Sequence, residues 1–204
     1  SSSAASDVYK RQFQDNSDYK VSSADTSRVF FAQLNYETLA LQEDNVRKAI
    51  AMGIDKEGFT KNLLSGNGTP AVGAFPDNFT FGNASVTAFG YDPEEAKELL
   101  KEAGWEDTDG DGYVDKDGQN LMIRWLTYPG RQELPLLAEA AQAALKEIGI
   151  EVKVNNTENT KDFLEKGDWD IYASAFVTAP TGDPEYFFTT HCLKDSAKNR
   201  GKYY

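Results

Sequence analysis

Apolar positions along this chain recur with two different spacings, and the switches between them mark its elements. Residues 28–35, Arg28-Val29-Phe30-Phe31-Ala32-Gln33-Leu34-Asn35, are rich in aromatic and β-branched types and predict a strand. From Asp44 onward Val46, Ala49 and Ile50 fall on one helical face, with Asp44 as the N-cap. Asp55 opens a second short helix through Phe59 and Leu63, which Gly66 closes. Residues 65–88 are rich in Gly, Asn and Pro and predict a long surface connection. The sharpest helix start is Asp92-Pro93-Glu94-Glu95: Asp92 caps, Pro93 takes the first helical position and Glu95 closes a capping box. Ala96, Leu99, Leu100 and Ala103 form its buried face, and Gly104 ends it. Residues 119–127 predict a strand, and Leu134, Leu137, Ala138, Ala141, Leu145 and Ile148 a long amphipathic helix stopped by Gly149. Residues 150–154 alternate as a strand, 160–166 form a short helix, and 169–176 a further buried strand in which Trp169, like Trp125 earlier, is core. Strand, helix and strand in that spacing make a βαβ unit, so the fold class is α/β around one core, with no internal repeat.

Composition adds limits. The chain has 204 residues, 40% hydrophobic and 12% aromatic, enough for a packed core. A formal net charge of -12 disfavours nucleic acid and anionic membrane surfaces, both of which require clustered Lys and Arg. No apolar run approaches the roughly 18 residues of a membrane span. Residues 1–27 read as an unrelated or poorly ordered leader, and 1–12, which lack a basic start and an apolar core, as an assembly remnant. The single cysteine, Cys192, excludes an intrachain disulfide and reads as a small buried apolar residue. Acceptor patterns for glycosylation at Asn67, Asn78 and Asn83 are of the kind an Asn-rich loop produces by chance.

Two stretches carry candidate chemistry. Asp107, Asp109 and Asp111 followed by Gly112 reproduce the opening of an EF-hand-type calcium loop, in which oxygens at alternate positions wrap one hard cation. Position 12 is Gly118, so the bidentate Glu is missing; Asp115 and Asp117 are partial substitutes. The opposing reading is an Asp/Gly-rich turn between a helix and a strand. The second stretch, Ala179-Pro180-Thr181-Gly182-Asp183-Pro184-Glu185-Tyr186, leaves the last strand beyond Thr178, where α/β sheets tend to bind ligands. Asp183 there is either a ligand contact or the cap of a helix opened by Pro184, and the two roles are compatible. Tyr186 is the aromatic best placed for a cleft, and His191 is the only histidine. Catalysis finds no motif: no nucleophile elbow, zinc-protease helix or phosphate loop is present, and His191 beside Cys192 would diverge from it.

Several landmarks follow one another in a family order. Val46-Arg47-Lys48-Ala49-Ile50, then Ile54-Asp55-Lys56-Glu57, then Asp92-Pro93-Glu94-Glu95-Ala96-Lys97-Glu98-Leu99-Leu100-Lys101-Glu102-Ala103-Gly104-Trp105, then Gly182-Asp183-Pro184, resemble the large lobe of the solute-binding proteins of bacterial oligopeptide, dipeptide and nickel ABC importers, family 5. The run from Ala179 to His191 is most similar to the nickel-type branch. The resemblance implies a periplasmic-binding-protein-like (type II) lobe, a mixed sheet flanked by helices, spanning residues 28–204 as a single unit cut near its C-terminal exit. It implies a non-catalytic, monomeric importer component outside the cytoplasm, periplasmic or a lipoprotein. Such a component captures a peptide or chelated nickel, delivers it to the permease subunits, and needs no resident cofactor. By the same resemblance Asp183 pairs with a ligand's α-amino group and His191 ligates nickel that arrives already chelated; Thr178, at the strand end, and Tyr186, from its place among the aromatics, are the further candidate contacts. The reading from another class is a calcium-stabilised extracellular structural or adhesion module built on Asp107, Asp109, Asp111 and Asp115.

Overall fold

Because β-branched and aromatic residues dominate four segments, they pair as one mixed sheet: β1 (Arg28–Leu34), β4 (Met122–Thr127), β5 (Glu151–Asn156) and β6 (Ile171–Val177). Its order is β1-β6-β4-β5; β1 runs antiparallel to β6, whereas β4 is parallel to both β5 and β6. The computed structural model describes residues 13, 17–18, 20, 26–64, 66–77, 79–82 and 85–202, so most of the expected leader, and Asn78 and Asn83, lie outside the described residues. The helices are α1 (Leu39–Gln42), α2 (Asp44–Gly53), α3 (Lys56–Gly58), which runs into a π-helical turn over Phe59–Leu63, α4 (Pro93–Glu102), α5 (Glu133–Glu147), α6 (Thr160–Lys166) and α7 (Glu185–His191). Among the described residues no helix is long and apolar enough to cross a membrane.

Successive strand residues point to opposite faces, and here both faces are covered. Ile123, Trp125, Ile171, Ala173 and Val152 enter the main core with Val46 and Ile50 of α2, Leu100 of α4 and Leu134, Ala138 and Leu145 of α5. On the other face Leu126 and Tyr172 meet Trp169, with Phe163 and Leu164 of α6 against them. The inner strand β6 therefore reads as a nearly continuous apolar run, whereas β5 at the sheet edge alternates, and the expected β4-α5-β5 unit is present.

Local signals were decoded with three exceptions. Asp92 accepts from the Glu95 amide (3.0 Å) and Asp55 from the Gly58 amide (2.8 Å), as capping requires. The return half of the Asp92 box is absent: the Asp92 amide donates instead to Met52 O (3.0 Å), tying α4 to the end of α2. Asp44 does not cap; α2 begins one residue earlier, with Glu43 at the N-cap, and Asp44 in the first turn pairs with Arg47 (2.9 Å) and Lys48 (2.6 Å). The strand expected over 119–127 is broken at Leu121, whose amide donates to Val114 O (2.8 Å). The first piece, β3 (Gln119–Asn120), pairs with β2 (Asp115–Lys116) across Asp117 (φ 54) and Gly118 (φ 74), the two positive φ values of a type I′ hairpin. Gly149 ends α5 with φ +85, and a Cβ there would lie 2.8 Å from Val114 Cγ1, so glycine also admits the strap that carries β2.

One carboxylate ties the sheet to its surroundings. Asp170 is 2% exposed. Its Oδ2 accepts from the Arg124 amide (2.7 Å) and Nε (3.0 Å), and its Oδ1 from Arg124 Nη2 (2.8 Å) and Thr38 Oγ1 (2.6 Å). Burial pushes its pKa up, but Arg124 and Thr38 outweigh burial and hold it below the ordinary 3.8. The Asp170 contribution is therefore fully present above the unfolded value and is lost as pH falls through the lower folded one. Asp170→Ala, which leaves Arg124 unanswered, is expected to cost about 3–5 kcal/mol in urea unfolding at neutral pH, with most of the difference gone in acid. A neutral-pH loss under about 1 kcal/mol would show that this network is dispensable.

Candidate functional site

Beyond the carboxyl ends of β4 and β5 the chain leaves a cavity of about 500 Å³. Tyr128, Pro129 and Gly130, immediately after β4, form one side; Glu158 and Thr160, after β5, another; and Tyr172, Ser174, Ala175 and Phe176 of β6 the floor. This is where parallel sheets bind ligands, because the strands diverge there and their loops are free to shape a crevice. Tyr128 is held in place by its hydroxyl, which accepts from the Ala175 amide (3.2 Å). His191, Lys198 and Arg200 complete the wall.

His191 reaches the wall because α7 turns its apolar side to the sheet. The ring lies among Phe31 (centroids 5.6 Å apart), Phe176 (4.4 Å) and Phe187 (4.9 Å) and is 4% exposed. Thr190 Oγ1 donates to Tyr186 O (2.6 Å) and so presents a lone pair to His191 Nδ1, 2.8 Å away. Nδ1 then carries the proton, and Nε2 keeps the lone pair a metal requires. Burial, with Lys198 and Arg200 adding to it against an opposing bond to the Phe187 carbonyl, pushes the imidazole down to about 4.

The chain after α7 is pinned where it passes the cavity. The Lys198 amide donates to Thr190 O (3.0 Å), buried Gln33 of β1 donates through Nε2 to Lys198 O (2.9 Å), and the Tyr36 amide donates to Gly201 O (3.0 Å). Lys198 and Arg200 were not singled out from the sequence. The available signal was a basic stretch, Lys194, Lys198, Arg200 and Lys202, in an otherwise acidic chain.

Of the expected contact residues, His191 lines the cavity; Thr178, Asp183 and Tyr186 do not. Thr178 is buried, with its amide (2.9 Å) and hydroxyl (3.2 Å) both donating to Ser27 O. Asp183 is exposed and accepts from the Glu185 amide (2.8 Å) at the start of α7. Tyr186 is 41% exposed and stacks on the outer side of Phe176 at 5.5 Å. Trp125 and Trp169 are core, as expected. Cys192 is a correction: it is exposed, because a residue following inward-facing His191 is turned about 100° around the helix axis.

The acidic loop is bound up in its own hydrogen bonds. Asp107 accepts from the Gly110 (2.8 Å) and Gly112 (3.0 Å) amides, and Asp109 from the Asp111 amide (3.1 Å). Asp111 accepts from the Tyr113 amide (2.8 Å) and Asn120 Nδ2 (2.8 Å), and buried Asp115 from Thr108. Oxygens of Asp107, Asp109 and Asp115 lie within 4.8 Å of one another, and Asp111 stands outside that group. Asp117 serves the hairpin turn.

The burial of His191 makes its titration measurable. Its ring resonances are expected to stay at neutral values down to about pH 5 and to move with a midpoint near 4, in place of the ordinary 6.5, when followed by NMR. A midpoint at the ordinary value would mean the ring is solvated rather than packed among phenylalanines.

Comparison with known proteins places this geometry. Residues 3–199 match the family described as bacterial extracellular solute-binding proteins, family 5 Middle. The nickel-binding protein NikA of Staphylococcus aureus is 29% identical over 195 residues, 95% of this chain and 37% of that protein. The oligopeptide-binding protein AppA of Bacillus subtilis is 30% identical over 161 residues, 77% of this chain and 30% of that protein. NikA from Brucella suis, solved in complex with Fe(III)-EDTA, superposes with a TM-score of 0.84 at 28% identity, covering 96% of this chain and 39% of that one. The chain thus spans well under half the length of these relatives. Its mixed sheet flanked by helices is that of a type II periplasmic-binding-protein lobe, as the sequence resemblance implied. With the matched span running from residue 3 to residue 199, the chain belongs to family 5 of the bacterial extracellular solute-binding proteins.

Proposed function

We propose that this chain forms the larger ligand-binding lobe of the solute-binding component of an ABC importer, which captures chelated nickel or a peptide outside the cytoplasm and delivers it to the permease. It catalyses no reaction. The observation that carries the reading is a neutral imidazole, His191, set in the wall of a 500 Å³ cavity at the carboxyl ends of β4 and β5 in a chain of this family. Neutral imidazole suits Ni(II), and a single His requires that the solute bring its remaining ligands with it. Closure of a second lobe over the cavity would shut out water and strengthen every polar contact inside. The component acts as a monomer, periplasmic or lipid-anchored, and carries no resident cofactor.

A peptide is the second reading, favoured by the exposed carboxylate of Asp183, which has one oxygen on the Glu185 amide and is free to accept from an α-ammonium. The calcium-stabilised module has less support: the matched family is a solute-binding one, and the loop carboxylates already accept from amides of their own turn.

Calorimetric titration of the full-length protein, dialysed against chelator, separates the readings. Saturable nickel binding only when histidine is added, weakened about tenfold or more by His191→Ala, is expected. Peptide binding that survives His191→Ala and fails in Asp183→Ala would move the protein to the peptide branch instead.

A further inference from the structure

Four peptide bonds in the chain join an asparagine or an aspartate to glycine: Asn67-Gly68, Asp109-Gly110, Asp111-Gly112 and Asp117-Gly118. Such a bond has a chemistry of its own. With no Cβ on the following residue, the backbone nitrogen can swing onto the side-chain carbonyl carbon and close a five-membered imide. The structure separates the four.

Three are protected. The Gly110 and Gly112 amides, whose nitrogens would attack Asp109 and Asp111, both donate to the Asp107 carboxylate (2.8 and 3.0 Å). The carboxylates they would attack are also engaged: Asp109 accepts from the Asp111 amide (3.1 Å), and Asp111 from the Tyr113 amide and Asn120 Nδ2 (both 2.8 Å). Asp117 and Gly118 are fixed at φ 54 and φ 74 by a hairpin whose strands pair on either side of them. A carboxylate is in any case a poorer electrophile than a carboxamide, since its ionised form repels a nucleophile.

Asn67 has the opposite setting. It is the one asparagine of the chain that glycine follows, and it is exposed, between exposed Gly66 (φ +76) and exposed Gly68. A Cβ at Gly66 would meet nothing within 4 Å, so the backbone entering Asn67 is uncrowded. Asn67 also closes the π-helical turn over Phe59–Leu63: its amide (2.9 Å) and its Nδ2 (3.0 Å) both donate to Leu64 O. Leu64, Asn67, Gly68 and Thr69 help line an apolar cavity of about 760 Å³, separate from the cavity that His191 lines.

We propose that Asn67 is a site of spontaneous deamidation. The Gly68 nitrogen, giving its proton to solvent base, bonds to Asn67 Cγ; the Cγ–Nδ2 bond breaks, and Nδ2 takes a proton from water and leaves as ammonia. Water then opens the imide at either carbonyl, breaking one C–N bond, and leaves aspartate or isoaspartate at position 67. The sum is carboxamide plus water giving carboxylate plus ammonium, with nothing oxidised or reduced. The product does not suit the turn in which it forms. A carboxylate oxygen in the place of Nδ2 faces the Leu64 carbonyl as a second acceptor, with no hydrogen between them. The isoaspartyl form also lengthens the main chain by a carbon. Deamidation therefore loosens the end of the Phe59–Leu63 turn and sets a negative charge at an apolar cavity. The solute takes no part in this reaction, so it stands or falls apart from the solute-binding reading.

The test is storage of the full-length protein in mildly alkaline buffer, followed by peptide mass spectrometry and enzymatic methyl labelling of isoaspartate. The peptide bearing Asn67 is expected to gain about 1 Da and the label, faster as pH rises, while peptides bearing Asp109, Asp111 and Asp117 stay unlabelled. Gly68→Ala is expected to stop most of the gain with the thermal midpoint unchanged, because its Cβ would stand 3.5 Å from Leu64 Cδ1 and 3.9 Å from Thr60 Cγ2, ordinary contact distances. Asn67→Asp, which supplies one product directly, is expected to quicken amide hydrogen exchange over residues 59–67. An unmodified Asn67 in the folded protein, with the same bond reacting after unfolding in urea, would mean that the fold protects it and would overturn the proposal. An undiminished rate in Gly68→Ala, or label appearing first in the acidic loop, would do the same. Unchanged exchange in Asn67→Asp would overturn the loosening of the turn.

Discussion

Everything around the cavity depends on a carboxylate that has been taken out of water. Asp170 sits at the entrance to β6 and accepts from the backbone and guanidinium of Arg124 on β4 and from Thr38 at the start of α1. The adjoining backbone receives the exit of β1, since the Asn35 amide donates to Asp170 O (2.8 Å) and Asn35 Nδ2 to Trp169 O (3.0 Å). Burying a charge is tolerable only when its oxygens are answered, so this network admits one arrangement of β1, β6 and β4 and penalises slippage of any of them. A slip by one residue would also send Tyr172 and Ile171 to each other's faces. The register fixed at this end of β6 determines which of its side chains, Tyr172, Ser174 and Phe176, floor the cavity at the other.

From there positioning passes through β1 rather than through the helices. Gln33 lies opposite Tyr172 in the β1–β6 register and donates to Lys198 O, so the strand that closes the sheet also fixes the segment bearing the two cations. Phe31, opposite Ser174, packs against the His191 ring. The α7 helix is short and contributes little stability alone. It is held by the aromatic contacts of Phe187 and His191 on one side and by the returning chain on the other.

How much of this could be read from the sequence divides along the range of the forces involved. The α6 helix and the start of α4 were legible to the residue, because caps, proline and helical spacing act within a turn. Asp44 misled because an acidic residue is equally at home capping a helix and facing its dipole in the first turn, and only tertiary contacts choose. The β2–β3 hairpin was hidden for a similar reason: Asp117-Gly118 had been assigned to a cation loop, although the same dipeptide is the strongest hairpin signal there is. At the site, His191 was visible because it is unique. Lys198 and Arg200 were not, since their significance lies in Phe176, Tyr172 and Gln33, between 22 and 165 residues away. Thr178, chosen for its place at the end of a strand, instead anchors the residue preceding β1.

The state of the His191 ring follows from its being buried. A histidine in water would be partly cationic near neutrality and a poor nickel ligand beside two further positive charges. Packed among three phenylalanines, with its proton directed to the helix, the same ring is neutral and offers a lone pair.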